Sequence, residues 1–100
     1  MIFTTVTILR NTQDVAQNIP VQIDEATPYL QGDGGGSSPN IVYDVFTLNG
    51  WVPDIRRQDY LLDEVNSDPI TNAPVKYLVN SRPEVFLNHL ECKAELIEGT

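Results

Sequence analysis

The chain has 100 residues, with 14 acidic against 6 basic side chains and a formal net charge of −8. At 41% hydrophobic residues it is too apolar for a disordered chain, and its length fits one domain that folds alone with little margin. The acid excess argues against gripping nucleic acid, which takes clustered Lys and Arg, yet it suits a wall that repels phosphates over about 8 Å and lets DNA slide past.

The first residues, MIFTTVTILR, lack the basic start and small-residue cleavage site of a leader, and no window reaches the length of a membrane span. Phe3 to Leu9 alternates, with Thr5 and Thr7 between Phe3, Val6 and Ile8, and is expected to form strand one. Arg10 to Asn18 is polar and turn-like. Ile19, Val21 and Ile23 share a face as strand two, and Pro20, lacking a ladder donor, implies an edge or strand start. Thr27 and Pro28 end it.

The next stretch is Gln31, Gly32, Asp33, Gly34, Gly35, Gly36, Ser37, Ser38, Pro39 and Asn40. None of these side chains anchors a core, and glycine loses the most backbone freedom on ordering. As a flexible coil the ten residues span roughly 18 Å, and stretched they reach about 35 Å. The run reads either as a solvated surface loop or as a mobile finger that reaches into a pore or onto a partner.

Ile41 to Leu48, IVYDVFTL, is the most β-like run, with Asp44 pointing outward. Asn49-Gly50 is a turn signal, after which Trp51 and Val52 are expected to pack. Asp54 to Gln58 fits one helical turn capped by Asp54, with Arg56 and Arg57 exposed. Tyr60 to Val65 is strand four. Asn66 to Pro74 holds two prolines and is excluded from ladder, and Val75 to Asn80 is strand five, ended by Arg82-Pro83. In the last strand Leu90, Cys92, Ala94 and Leu96 share one face, while His89, Glu91, Lys93 and Glu95 share the other. This puts Cys92 in the core and His89 in solvent. Six short strands with turn-rich connections make the expected fold all-β, a small antiparallel β-barrel or sandwich in a single domain, with the barrel preferred because it removes open edges.

No catalytic pattern emerges. The glycines are not followed by Gly-Lys-Ser/Thr, so no lysine meets a phosphate. Asp33 alone is a poor cation cap, and Asp63, Glu64 and Asp68 do not match calcium-loop intervals, so they read as a solvated hairpin tip. His89 and Cys92, three apart on a strand, lie on opposite faces and make no nucleophile pair. A single histidine is too few for a histidine-based metal site, and no cofactor is expected. A single cysteine rules out an internal disulfide and fits a reducing compartment such as a cytoplasm. Trp51, Tyr60, Tyr77 and Phe86 read as core or interface.

The order Ile55-x3-Asp59-x-Leu61-Leu62-Asp63, a hairpin tip, Tyr77-Leu78-Val79, then Phe86-x2-His89-x-Glu91-x-Lys93 resembles the head-completion, or head-to-tail stopper, proteins of long-tailed double-stranded DNA bacteriophages. Val6-Thr7-Ile8-Leu9-Arg10 is similar to their first strand, and the long loop many of them carry between strands two and three falls here on Gln31 to Asn40. Two features depart from the family: Gln58 stands where it often has glycine, and the Asn66–Pro74 tip is longer than usual.

The resemblance implies a non-enzymatic virion protein of the head-tail neck, made in the host bacterial cytoplasm. Copies would form a cyclic homo-oligomer below the portal and its adaptor ring, with a tail or tail-completion protein below. Double-stranded DNA would pass non-specifically through the channel, which the Gln31–Asn40 loops close after packaging, and no membrane is involved. Arg56, Arg57 and Arg82 are the candidate ring-interface residues. Another neck or tail-end ring protein (an adaptor or tail terminator) and a non-viral binding module with an oligonucleotide-binding or SH3-like barrel remain alternatives.

Overall fold

This computed structural model describes residues 1–25 and 41–97. Seven strands follow in order: β1 (Ile2–Arg10), β2 (Gln13–Glu25), β3 (Val42–Thr47), β4 (Tyr60–Ser67), β5 (Pro74–Val79), β6 (Glu84–Val85) and β7 (Leu90–Ile97). Among the described residues there is no helix. All pairings are antiparallel, in the order β3-β2-β1-β4-β5-β7, and β3 pairs with β7 to close the ring. The expected barrel of about six short strands is therefore present, with β6 as an addition. Because β3 occupies one edge of β7, β5 and β6 share the other. Their registers differ by two residues (Val79↔Ala94, then Glu84↔Glu91), so β6 resumes the lane of β5 after Asn80–Pro83.

The inward faces follow the alternation of the sequence. Val6, Ile8, Val21, Ile23, Val45, Leu61, Val79, Leu90 and Ala94 are almost fully enclosed, and Ile19, Ile55, Tyr77 and Cys92 complete one core. Burial pushes the Cys92 thiol up to about 12, with Asp44 adding to the effect, so the thiol stays neutral and unreactive.

Several local expectations are corrected. The polar stretch Arg10–Asn18 is a turn only at Asn11-Thr12. Asn11 and Thr12 both take positive φ (54° and 65°), which makes a two-residue type I′ hairpin, and β2 begins at Gln13. Its residues are polar because this end of the strand faces solvent. Two register shifts in the β1–β2 pair place extra residues on β2, one of them at the positive-φ Asn18. Pro20 lies within β2, not at its start. Its carbonyl accepts from Leu48 N, so its missing N–H faces the side where the β3 ladder ends.

Trp51 and Val52 do not enter the core: both are exposed, and Ile55 is buried instead. No helical turn forms over Asp54–Gln58. Asp59 N donates to Arg56 O at 3.0 Å, which closes a four-residue turn with positive φ at Gln58. The Asn66–Pro74 tip does contribute to ladder, since β4 runs on to Ser67, which pairs with Pro74 at the first position of β5, a place proline tolerates. His89 is not in open solvent. Its ring stacks on Phe86 (centroids 4.8 Å apart) and its Nε2 meets Glu91 at 2.9 Å.

Candidate functional site at the rims of the barrel

The antiparallel registers sort every connection to one of two barrel ends. Pairs Ile2↔Ile23, Glu25↔Tyr43, Val42↔Glu95, Lys76↔Ile97 and Ser67↔Pro74 mark one rim. Pairs Arg10↔Gln13, Leu9↔Tyr60, Tyr60↔Leu78 and Val85↔Leu90 mark the other. Glu25 and Tyr43 are ladder partners, so the connection carrying the expected Gln31–Asn40 gating loop leaves and re-enters at the first rim. Gln31–Asn40 itself lies outside the described residues.

The three expected interface arginines belong to the opposite rim. Arg56 and Arg57 sit in the turn before β4. That turn is tied to the end of β5 by Gln58 N to Val79 O and Val79 N to Asp59 O, both 2.8 Å. Arg82 follows β5 on the same side. Arg56 pairs with Asp54 at 3.1 Å. Among the described residues Arg57 and Arg82 have no ion pair.

One side chain the sequence reading passed over organises this rim. Arg10, the last residue of β1, donates to both oxygens of buried Asp59 (3.0 and 2.8 Å) and to Asp54 O. The Asp59 hydrogen bond and charge, then Asp54, raise the Arg10 pKa against the opposing effect of burial. Asp59 also accepts from Arg56 N at 2.8 Å. The turn is thereby held in a conformation its sequence does not favour: φ is +80° at Gln58, the third position of a type II turn, where glycine is preferred. The backbone at Gln58 is the one a glycine would take. Gln58→Gly is expected to stabilise the fold by about 0.5–1 kcal/mol, the relieved left-handed strain less glycine's extra unfolded-state entropy. A thermal melt that falls instead would refute the strain.

At the first rim, Asp63 and Glu64 are not a solvated tip. Adjacent on a strand, they point to opposite faces. Asp63 points inward, is 2% exposed and accepts from Thr4 Oγ1 (2.7 Å), Val65 N, Asn66 N and Asn66 Nδ2 (2.9 Å each). Burial pushes its pKa up, but bonds from Asn66, Thr4 and Val65 outweigh that and hold it below the usual carboxylate range. Glu64 points outward and accepts from Thr7 (2.6 Å), Thr5 (2.7 Å) and the N–H of the bulge residue Asn18 (2.8 Å). It straps β4 across β1 onto β2. Burial opposes ionisation here as well, and the same kind of bonds lowers its pKa. Asp68 accepts from Ile70 N and Thr71 N and shapes the hairpin tip.

A groove of about 520 Å³ opens beside that tip, lined by Tyr43, Val75, Tyr77, Leu96 and residues 68–71. Among the described residues that line it the only acid is Asp68, already engaged by backbone. Burial, with Asp63 and Tyr43 adding to it, pushes the Tyr77 hydroxyl up to about 12, so it stays protonated near neutral pH. Among the described residues no group of three or more His, Cys, Asp or Glu is arranged to hold a metal ion.

Of the aromatic residues singled out above, only Tyr77 is core; Trp51, Tyr60 and Phe86 are 37–43% exposed and remain available to a partner. No family model, no curated protein and no solved structure matches the chain.

Proposed function

We propose that the protein is a non-enzymatic structural component of a bacteriophage head-tail neck. Copies ring the DNA channel below the portal and adaptor, and the Gln31–Asn40 loop closes that channel after packaging while another face receives the tail. The observation that carries this reading is the pairing of Glu25 with Tyr43: an acidic, closed barrel issues its glycine-rich connection from one rim, opposite the rim that bears Arg56, Arg57 and Arg82. Such a body can hold a loop at a pore while its other end and flanks make contacts. A net charge of −8 keeps the wall from binding the DNA that passes it.

Deleting Gly34 to Ser37 is the direct test. Full heads carrying the shortened chain are expected to lose packaged DNA before tail attachment, seen as empty particles in micrographs and as nuclease-sensitive DNA. Wild-type retention would remove the gating role.

A further inference from the structure

The groove beside the hairpin tip contains a polar group that the fold leaves unserved. Tyr77 is 3% exposed, yet its hydroxyl makes no hydrogen bond among the described residues. Of their fully buried side-chain oxygens and nitrogens only Asp24 Oδ1 lacks a partner, so the Tyr77 hydroxyl, unbonded but not sealed in, opens on the groove that its residue lines. A buried tyrosine hydroxyl usually finds a partner. This one keeps its proton near neutral pH and has it to donate. Asp68 offers the opposite polarity. Ile70 N and Thr71 N both donate to its Oδ1, and its Oδ2 accepts no bond among the described residues. Tyr43, Ile70, Val75 and Leu96 supply apolar wall. The Tyr43 and Tyr77 rings meet edge to face, with centroids 5.4 Å apart at 76°, and give that wall an angle. A volume of about 520 Å³ is within the range of ligand sites.

A fitting ligand therefore brings an apolar body, an acceptor for Tyr77 and a cation for Asp68. A carboxylate is the wrong acceptor, because Asp63 lies near enough for its charge to act on the Tyr77 hydroxyl and the chain carries −8 overall. A peptide carbonyl is neutral and suits the site. A peptide bound as a β-strand would need an open ladder edge. Tyr43 is paired on both sides, to Glu25 and Ala94, as is Tyr77, to Leu61 and Leu96, and Leu96 N already donates to Ile41 O. A helix commits its carbonyls to its own N–H groups. A polyproline II segment commits none, and it docks on aromatic-lined grooves at low entropic cost.

We propose that this groove binds an extended, proline-containing segment of a partner protein. A backbone carbonyl of the segment accepts from the Tyr77 hydroxyl, proline rings pack on Tyr43, Val75 and Leu96, and an arginine or lysine meets Asp68 Oδ2. The site goes beyond the neck reading, does not rest on it and needs no second copy of this chain.

The probe is a blocked oligoproline peptide ending in arginine, titrated into the isotope-labelled full chain and followed by its amide resonances. Those of Tyr43, Ile70, Tyr77 and Leu96 are expected to shift together and to saturate at millimolar peptide or below. Tyr77→Phe keeps the ring and is expected to weaken binding about fivefold, the share of one neutral hydrogen bond. Its urea midpoint should match that of wild type; a fall would mean that the hydroxyl has a partner within the fold and would overturn the proposal. Asp68→Asn keeps an oxygen for the hairpin tip. It is expected to weaken the arginine peptide about threefold, as a solvent-exposed ion pair would, and to leave a peptide ending in glutamine unchanged. No shift at the groove, equal binding of a glycine-serine peptide ending in arginine, or a Tyr77→Phe variant that binds like wild type would each overturn the proposal. So would binding that appears only when residues 26–40 are replaced by a short linker, which would assign the groove to this chain's own segment.

Discussion

Asp63→Ala is expected to lower folding stability by about 3 kcal/mol, because it strands the Val65 and Asn66 N–H groups and the Thr4 hydroxyl at the barrel mouth, at about 1–3 kcal/mol for each buried group left without a partner. The low end of that range applies to the two backbone donors, which water can partly reach. Asp63→Asn keeps one acceptor oxygen and is expected to lose only about 1 kcal/mol. Urea midpoints at pH 7 with an unchanged m-value measure both losses. If the alanine variant stays within about 0.5 kcal/mol, as ordinary surface changes do, the carboxylate does not hold the β1–β4 junction.

The same group sets a pH dependence whose sign is fixed. Asp63 and Glu64 both have folded pKa values below their unfolded values of about 3.9 and 4.3. Their contribution is therefore complete above those unfolded values and is lost as pH falls through the folded ones. Wild-type urea midpoints are expected to hold steady from pH 7 to about 5 and to fall below about pH 4. Asp63→Asn, with nothing to titrate at that position, starts lower and falls less. Parallel curves for the two proteins would mean that the acid sensitivity lies elsewhere.

The barrel is legible because its strands obey period two: Ile19, Val21 and Ile23 share one face of β2, Leu90, Cys92 and Ala94 share one face of β7, and both faces point inward, whereas Phe3, grouped in the sequence with Val6 and Ile8, is exposed. What escaped was geometry carried by backbone rather than by hydrophobic pattern. The Asn11-Thr12 hairpin has no glycine to announce it, and Gln58 takes a glycine-like φ only because Arg10 and Asp59, 49 residues apart, hold it there. The inward turn of Asp63 was in fact readable. It follows Leu61 at a spacing of two, so a buried Leu61 already placed it on the core face, but its charge suggested solvent. The bonds from Thr4 and Asn66 that reverse that preference come from another strand and a local turn, which residue type alone does not reveal. Arg56, Arg57 and Arg82 could be grouped by charge, but only the strand registers put them at one rim, away from the glycine-rich connection.

Leu61→Ala is expected to cost about 3 kcal/mol, within the 2–5 kcal/mol span of leucine truncations in closed cores. Leu61 is fully enclosed and lies opposite Ile8 on β1 and Tyr77 on β5, so its methyl groups sit where the two halves of the barrel meet. A closed barrel of paired strands cannot shrink to fill the space, because the ladders fix the distance between its walls. In a domain of this length each kcal/mol shifts the thermal midpoint by about 4–8 °C, so a fall of roughly 12–24 °C is expected. The control is the same deletion at Leu87, 99% exposed, where the change should stay within about 0.5 kcal/mol. If both leucines respond alike, hydrophobic propensity of the chain rather than enclosure by the barrel governs stability. If only Leu61 responds, enclosure by the barrel governs stability and the exposure of Leu87 costs the fold nothing.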